Sequence, residues 1–390
     1  MNNTIAIRKY DNYIANLELD RLIFYLILFL PCANSFFTLF SIDIVLYYYC
    51  AIAFLLIINA ILQRGDYSLI IKIICLFALV VYNFLAYGTY YVTHSDFYGM
   101  FFLVTVLLFP IKVEHIKKYF FNSKTAVKCS TYLYIILLIA SLFFGHGYDF
   151  FNSYSTYKVL FGAYNLSHTL AYELVFYLII NWVAFRFSIK NILILCALFI
   201  CLLLTQVRTV YLAIVVIVLY ELTSSKTLSV KQKIFAYLLI VALLISFIII
   251  YETGSLSYIP FFAKTISAAE NGSITSGRET YVDIAIKSFS NFSAFDKIFG
   301  VSLDGIRAIF LKEIGVDIHC HNDIFNLLLG YGIVGLAFIL ISLVPFIRTN
   351  NKIFFAIFLA VFIWYNGLYM YQNFTFLLII IRGVYFQKSK

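Results

Sequence analysis

Twelve apolar runs, near residues 22–40, 43–62, 69–88, 97–112, 129–146, 166–185, 191–207, 209–222, 233–251, 323–347, 353–369 and 373–387, leave this chain little choice of solvent. Runs of about 20 residues cover the roughly 30 Å hydrocarbon core of a bilayer as helices, with shorter ones tolerated. Inside lipid each backbone N–H and C=O needs a partner within the protein, and a helix supplies it locally. The expected fold is therefore all-α, a polytopic transmembrane helical bundle of about twelve spans. Composition agrees: 63% of residues are apolar and 12% charged, against roughly 45–50% and about 25% in soluble domains. Residues 1–21 are polar and charged, and no small-residue cleavage site follows the first apolar run. Insertion through a retained first helix is expected.

The net charge of +9 is a topology signal rather than a nucleic-acid footprint. With the N-terminus inside, 20 of the 28 basic residues collect on one face, among them Arg64, Lys117, Lys118, Arg186, Lys231 and Arg348. The opposite face holds Lys158, Arg208 and six basic residues in the 252–322 loop, where eight acidic residues balance them. The positive-inside rule then puts both termini in the cytoplasm. The chain divides into helices over 1–251, a large outer loop over 252–322 and further helices over 323–390. Six of the seven cysteines lie in or beside spanning runs, and Cys320 alone falls on the outer side. That leaves no outer-face disulfide framework.

The long loop carries most of the polar pattern. Ser276-Gly277-Arg278-Glu279 has capping-box spacing, with Ser276 as N-cap and Glu279 at N3. The helix it opens is expected to run from Arg278 to about Phe289, with Tyr281, Ile284, Ala285 and Ile286 as its apolar contacts. A cation in a first helical turn is mildly disfavoured by the helix dipole, a cost offset if an anion such as phosphate binds there. The stretch from Phe292 to Val301 reads as a turn back toward the membrane. Asp304 to Glu313 reads as a second short helix lying along the surface.

Three positions are candidates for chemistry. Arg208 lies in a turn of one or two residues between two spans, and its planar fork suits bidentate binding of phosphate. His319 and His321 form an H-x-H pair with no Cys, Asp or Glu at ligand spacing, a weak metal motif, so no metal or other cofactor is expected. A single histidine is enough for a general base, because its ordinary pKa near 6.5 suits proton abstraction at neutral pH. Gly330, Gly332 and Gly335 in the following helix are expected to permit close helix packing.

Taken in order, Leu204-Thr205-Gln206-Val207-Arg208-Thr209, Ser276-Gly277-Arg278, and His321-Asn322-Asp323-Ile324 followed by Gly330-Tyr331-Gly332-Ile333-Val334-Gly335-Leu336 resemble the O-antigen polymerase and O-antigen ligase superfamily of bacterial envelope glycosyltransferases. The likeness covers roughly residues 195–345. The first half matches only in hydropathy and helix count. The resemblance implies an inner-membrane enzyme of the membrane-embedded GT-C type with one large periplasmic loop. It implies a donor glycan carried on undecaprenyl pyrophosphate, and metal-free transfer. It also implies Arg208 and Arg278 as pyrophosphate ligands and His321 as the base or the residue that orients the acceptor hydroxyl, with His319 and Asn322 as substrate-binding neighbours.

Within that family the polymerase, which joins lipid-linked repeat units, is favoured over the ligase, which moves finished polymer to the lipid A core. The His-Asn-Asp-Ile run and the Tyr- and Phe-rich first half carry that preference. A transporter of lipid-linked sugars would more often place charges in mid-helix; here Glu173 is the main one. Expected partners are the undecaprenyl-pyrophosphate-linked oligosaccharide, inner-membrane lipid and, as a further candidate, a chain-length regulator, with no nucleic acid.

Overall fold

The computed structural model describes residues 2–42, 45–62, 113–144, 148–150, 158–164, 167–185, 188–207, 209–224, 229–252 and 278–347, with separate positions between 71 and 85. The described chain is mostly helical (87%), and four helices are long and apolar enough to cross a membrane: Glu18–Leu39, Lys124–Phe143, Ser167–Phe185 and Asp323–Ile341. This is a membrane protein. The runs expected at 97–112, 353–369 and 373–387 lie outside the described residues, as does 253–277 of the long loop.

In chain order the first helices are α1 (Asn2–Leu39), α2 (Val45–Leu62), α3 (Val113–Asn122) and α4 (Lys124–Phe143). A hairpin of β1 (Tyr148–Phe150) and β2 (Lys158–Leu160) precedes α5 (Ser167–Phe185), α6 (Ile189–Leu204), α7 (Thr209–Ser224) and α8 (Val230–Glu252). Helix α5 is the centre of this part, with 72% of its apolar window buried against 39–44% in the other three candidate spans. A helix that is apolar all round belongs inside a bundle, and α5 packs on α4, α6 and α7. Its one carboxylate, Glu173, is fully buried. Asn34 Nδ2 donates to Oε1 at 2.9 Å, and the hydroxyls of Tyr134 and Tyr164 donate to Oε2 at 2.9 and 2.5 Å. A buried charge is tolerated only when paired or hydrogen-bonded, and this one ties α1, α4 and α5 to the segment after β2.

Two features of this part depart from the expected pattern. The 147–165 connection contains an antiparallel pair, Tyr148 facing Leu160 and Phe150 facing Lys158, where only loop was expected. Val159 and Leu160 are buried, and β2 packs on α5 and α6, so its backbone needs a partner other than water. The connection before α4 is also helical, as α3, and α4 starts five residues earlier than its apolar run. Amphipathic and polar turns are invisible to a search for apolar length.

The last part comprises α9 (Arg278–Asn291), α10 (Ala294–Phe299), α11 (Ser302–Ile314) and α12 (Asp323–Ile347). Helix α10 stands where a turn was expected. Ser293 caps it, its Oγ accepting the Asp296 N–H at 3.1 Å. Helix α11 does not lie along the surface, because Ser302 through Ile306 and Phe310 are buried and the helix packs on α12. Within α12, Gly332 adopts φ 67°, ψ −170°, and the helix kinks there. Three residues upstream, the Leu329 carbonyl accepts the Val301 N–H from the α10–α11 junction at 2.8 Å.

Candidate active site

The three residues that follow α6 and precede position 208 are held tightly. Thr205, Gln206 and Val207 are all buried, and Gln206 takes φ 55°. The Thr205 hydroxyl donates to the Leu202 carbonyl at 2.7 Å, as does the Tyr211 hydroxyl at 3.1 Å. A non-glycine residue in the left-handed region costs of order 1–3 kcal/mol and tends to mark functional turns. Arg208 itself lies outside the described residues.

Helix α9 is described from Arg278 onward; Ser276 and Gly277, and with them the expected capping box, fall outside the described residues. Of Arg278 and Glu279 the backbone is described. Ile284 and Ala285 are buried, and the helix packs on α11 and α12. Tyr281, one turn beyond Arg278, lies against two rings. Its centroid is 5.7 Å from the His321 imidazole at an interplanar angle of 34°, and 5.7 Å from Phe310 at 78°. Residues three apart share a helix face and differ by about 4.5 Å along the axis. The arginine-led helix and the histidine loop, 43 positions apart in sequence (278 to 321), are thereby brought into contact.

The loop that carries His321 is fixed on both sides. Asn322 caps α12, its Oδ1 accepting the N–H groups of Ile324 at 2.9 Å and Phe325 at 3.3 Å. The Cys320 N–H donates to Asn326 Oδ1 at 3.0 Å. Between these anchors His321 is half-buried with φ 51°. The carboxamide oxygen of Asn322, a residue expected to bind substrate, thus serves the helix start, a role that involves Oδ1 alone. The Cys320 side chain is fully buried, and burial pushes its thiol well above the ordinary range.

His319 points into different surroundings. Arg307 of α11 donates to Asp317 from Nε at 2.6 Å and also from Nη2, and stands 3.6 Å from the buried Asp304. Those hydrogen bonds hold the Asp317 carboxyl below its ordinary value. His319 Nδ1 is buried without a hydrogen-bond partner among the described residues. Burial first, and the Arg307 charge second, lower the His319 pKa to about 4. An imidazole that weak as a base is a poor proton acceptor, so the two histidines of the pair are not equivalent. Because the folded protein holds the His319 proton less tightly than the unfolded chain does, stability is undiminished above about pH 6.5. It falls as the pH drops from there toward 4. The thermal midpoint of the purified protein is expected to fall between pH 7.5 and 5, and by less in His319→Gln. An unchanged gap in the variant would remove His319 as the source.

Sequence reasoning treated Tyr281 as one apolar contact among several and passed over Arg307, Asp317 and Asn326. The i, i+3 spacing from Arg278 was the available pointer to Tyr281; nothing in the sequence pairs Arg307 with Asp317. Among the described residues no three His, Cys, Asp or Glu side chains gather to hold a metal ion. An apolar groove of about 400 Å³ lies between α5, α6 and α7, lined by residues that include Leu178, Trp182, Leu195 and Ile217.

Residues 192–340 match the family model described as O-antigen ligase, a segment that starts in α6 and ends in α12. The match is consistent with the O-antigen polymerase and ligase superfamily and supports a function of that general type, in lipopolysaccharide biosynthesis at a membrane. A search of curated proteins found no match.

Proposed function

We propose that this protein is a surface-polysaccharide polymerase, joining oligosaccharide repeat units carried on undecaprenyl pyrophosphate at the periplasmic face of a bacterial inner membrane. The reading takes the chain as a twelve-span bundle with both termini in the cytoplasm. The observation that carries it is the contact between Tyr281, one turn from Arg278, and the His321 ring. It joins a helix start suited to an anion with a histidine suited to proton abstraction.

In this mechanism Arg278 and Arg208 hold the donor pyrophosphate, and His321 faces the acceptor hydroxyl. The acceptor oxygen attacks the anomeric carbon and forms the new glycosidic bond. The bond from that carbon to the pyrophosphate oxygen breaks, and its electron pair leaves with undecaprenyl pyrophosphate. His321 takes the hydroxyl proton. Negative charge grows on the leaving group, which is where two guanidinium groups stabilise the transition state most. A single displacement inverts the anomeric centre. The apolar groove between α5, α6 and α7 suits an isoprenoid chain, because every side chain that lines it is apolar or a thiol.

The test is an electrophoretic profile of the cell's lipopolysaccharide after gene deletion. Loss of a polymerase leaves core carrying one repeat unit. Bare core, with polymer retained on its lipid carrier, would identify a ligase instead. Absence of the outer sugars altogether would point to a transporter.

A further inference from the structure

We infer that Tyr281 is a positioning residue for His321, and that its ring, rather than its hydroxyl, sets the imidazole's orientation. The inference rests on the reading of His321 as the base. His321 occupies a left-handed backbone position, φ 51°, on a loop of only eight residues between α11 and α12 (315 to 322). Backbone anchors hold both neighbours. The Cys320 N–H is bound to Asn326, and Asn322 is spent on the cap of α12. Those bonds fix the main chain, and contacts of the ring itself act on the side-chain torsions of His321. A staggered side chain has about three wells at χ1, and packing chooses among them. Tyr281 lies beside the imidazole, tilted 34° from it at 5.7 Å. Phe310, edge-on to Tyr281 at 78°, in turn braces that ring from α11. Aromatic pairs at such separations prefer offset and edge geometries and hold each other's rotamers. A displacement of about 1 Å at a reacting group can cost on the order of 100-fold in rate, so a small rotation of the imidazole matters.

The arrangement also has a geometric consequence. Because Tyr281 belongs to the helix that Arg278 opens, the same helix sets the position of the base and carries the proposed pyrophosphate ligand. A shift of α9 moves both together.

Three variants in membranes from a deletion strain separate this role from a structural one: Tyr281→Leu, Tyr281→Phe and His321→Ala. Two quantities are read in each, the rate of glycan transfer from lipid-linked donor and the rate at which diethylpyrocarbonate modifies His321, followed by peptide mass spectrometry. Tyr281→Leu is expected to lower transfer by at least about 10-fold and to raise His321 modification several-fold. His319, which feels the Arg307 charge and has no ring contact with Tyr281 among those seen, serves as the internal control and should keep its rate. Tyr281→Phe restores the ring and is expected to recover both readings. Should Tyr281→Leu leave the modification rate and transfer unchanged while His321→Ala is inactive, Tyr281 has no positioning role. If the phenylalanine variant behaves like leucine, the hydroxyl carries the effect and the ring-packing inference is wrong. If His321→Ala keeps its activity, the proposed function itself loses its base, whatever Tyr281 does to chemical reactivity.

Discussion

Cells in which His321→Ala replaces the wild-type protein are expected to make lipopolysaccharide with no polymer ladder, although the variant reaches the membrane in normal amount. The magnitude follows from what is removed. General-base assistance is worth about 10²- to 10⁴-fold, and even the lower figure erases a ladder that needs many successive transfers. The protein should survive the change because hydrogen bonds of its neighbours hold the loop. Asn322 and Asn326 fix the backbone around position 321 through Oδ1 contacts that alanine leaves intact. Alanine also fits a left-handed backbone less well than histidine, a cost small beside that of losing the base. Arg278→Ala is expected to give the same profile by removing charge from the leaving group's side. Lysine at that position should rescue it only in part, since a point charge does not reproduce a bidentate fork. A full ladder from His321→Ala, with protein present in the membrane, would end the assignment.

How much of this could be seen in the chain alone differed by region, for a physical reason. Lipid imposes one rule on every spanning segment, so the expected runs at 166–185 and 323–347 fall within a residue of helices α5 and α12. The helix expected from Arg278 to about Phe289 is present too, over Arg278–Asn291. Outside lipid the determinants are contacts between distant residues. Arg307 pairs with Asp317 across the end of α11, and α11 buries its first half against α12. Nothing in the run from Asp304 to Glu313 distinguishes that helix from one lying on the surface. The histidine pair shows the same limit: its two members look alike in sequence, and only packing gives one a depressed pKa and the other an aromatic neighbour.

The glycines of α12 lead to the second large expected effect, which concerns stability rather than chemistry. They were expected to permit close packing, and the structure shows how close. A Cβ on Gly332 would lie 2.2 Å from the Ile298 carbonyl oxygen and 2.5 Å from the Phe299 nitrogen, and one on Gly300 would lie 2.3 Å from the Gly330 backbone. The neighbours in each case are main chain, which cannot rotate away. Gly332 also combines φ 67° with ψ −170°, a region essentially closed to other residues. Gly315 provides the control. It has a similar φ of +70°, but a Cβ there would meet nothing within 4 Å. Gly315→Ala is expected to cost about 1–2 kcal/mol, the penalty of the left-handed backbone alone. Gly332→Ala carries a larger conformational penalty, because ψ −170° rather than 11° puts it outside the left-handed region, and it must also push α10 away from α12, for a total of at least about 4 kcal/mol. Since the Leu329 carbonyl bonds to Val301 across the same crossing, the shift also strains the α10–α11 junction. Thermal unfolding in detergent should therefore show a small drop for Gly315→Ala and a large one for Gly332→Ala, with less protein recovered from the membrane. Equal drops in the two variants would mean that backbone conformation alone, and not the close crossing of α10 over α12, is what these glycines supply.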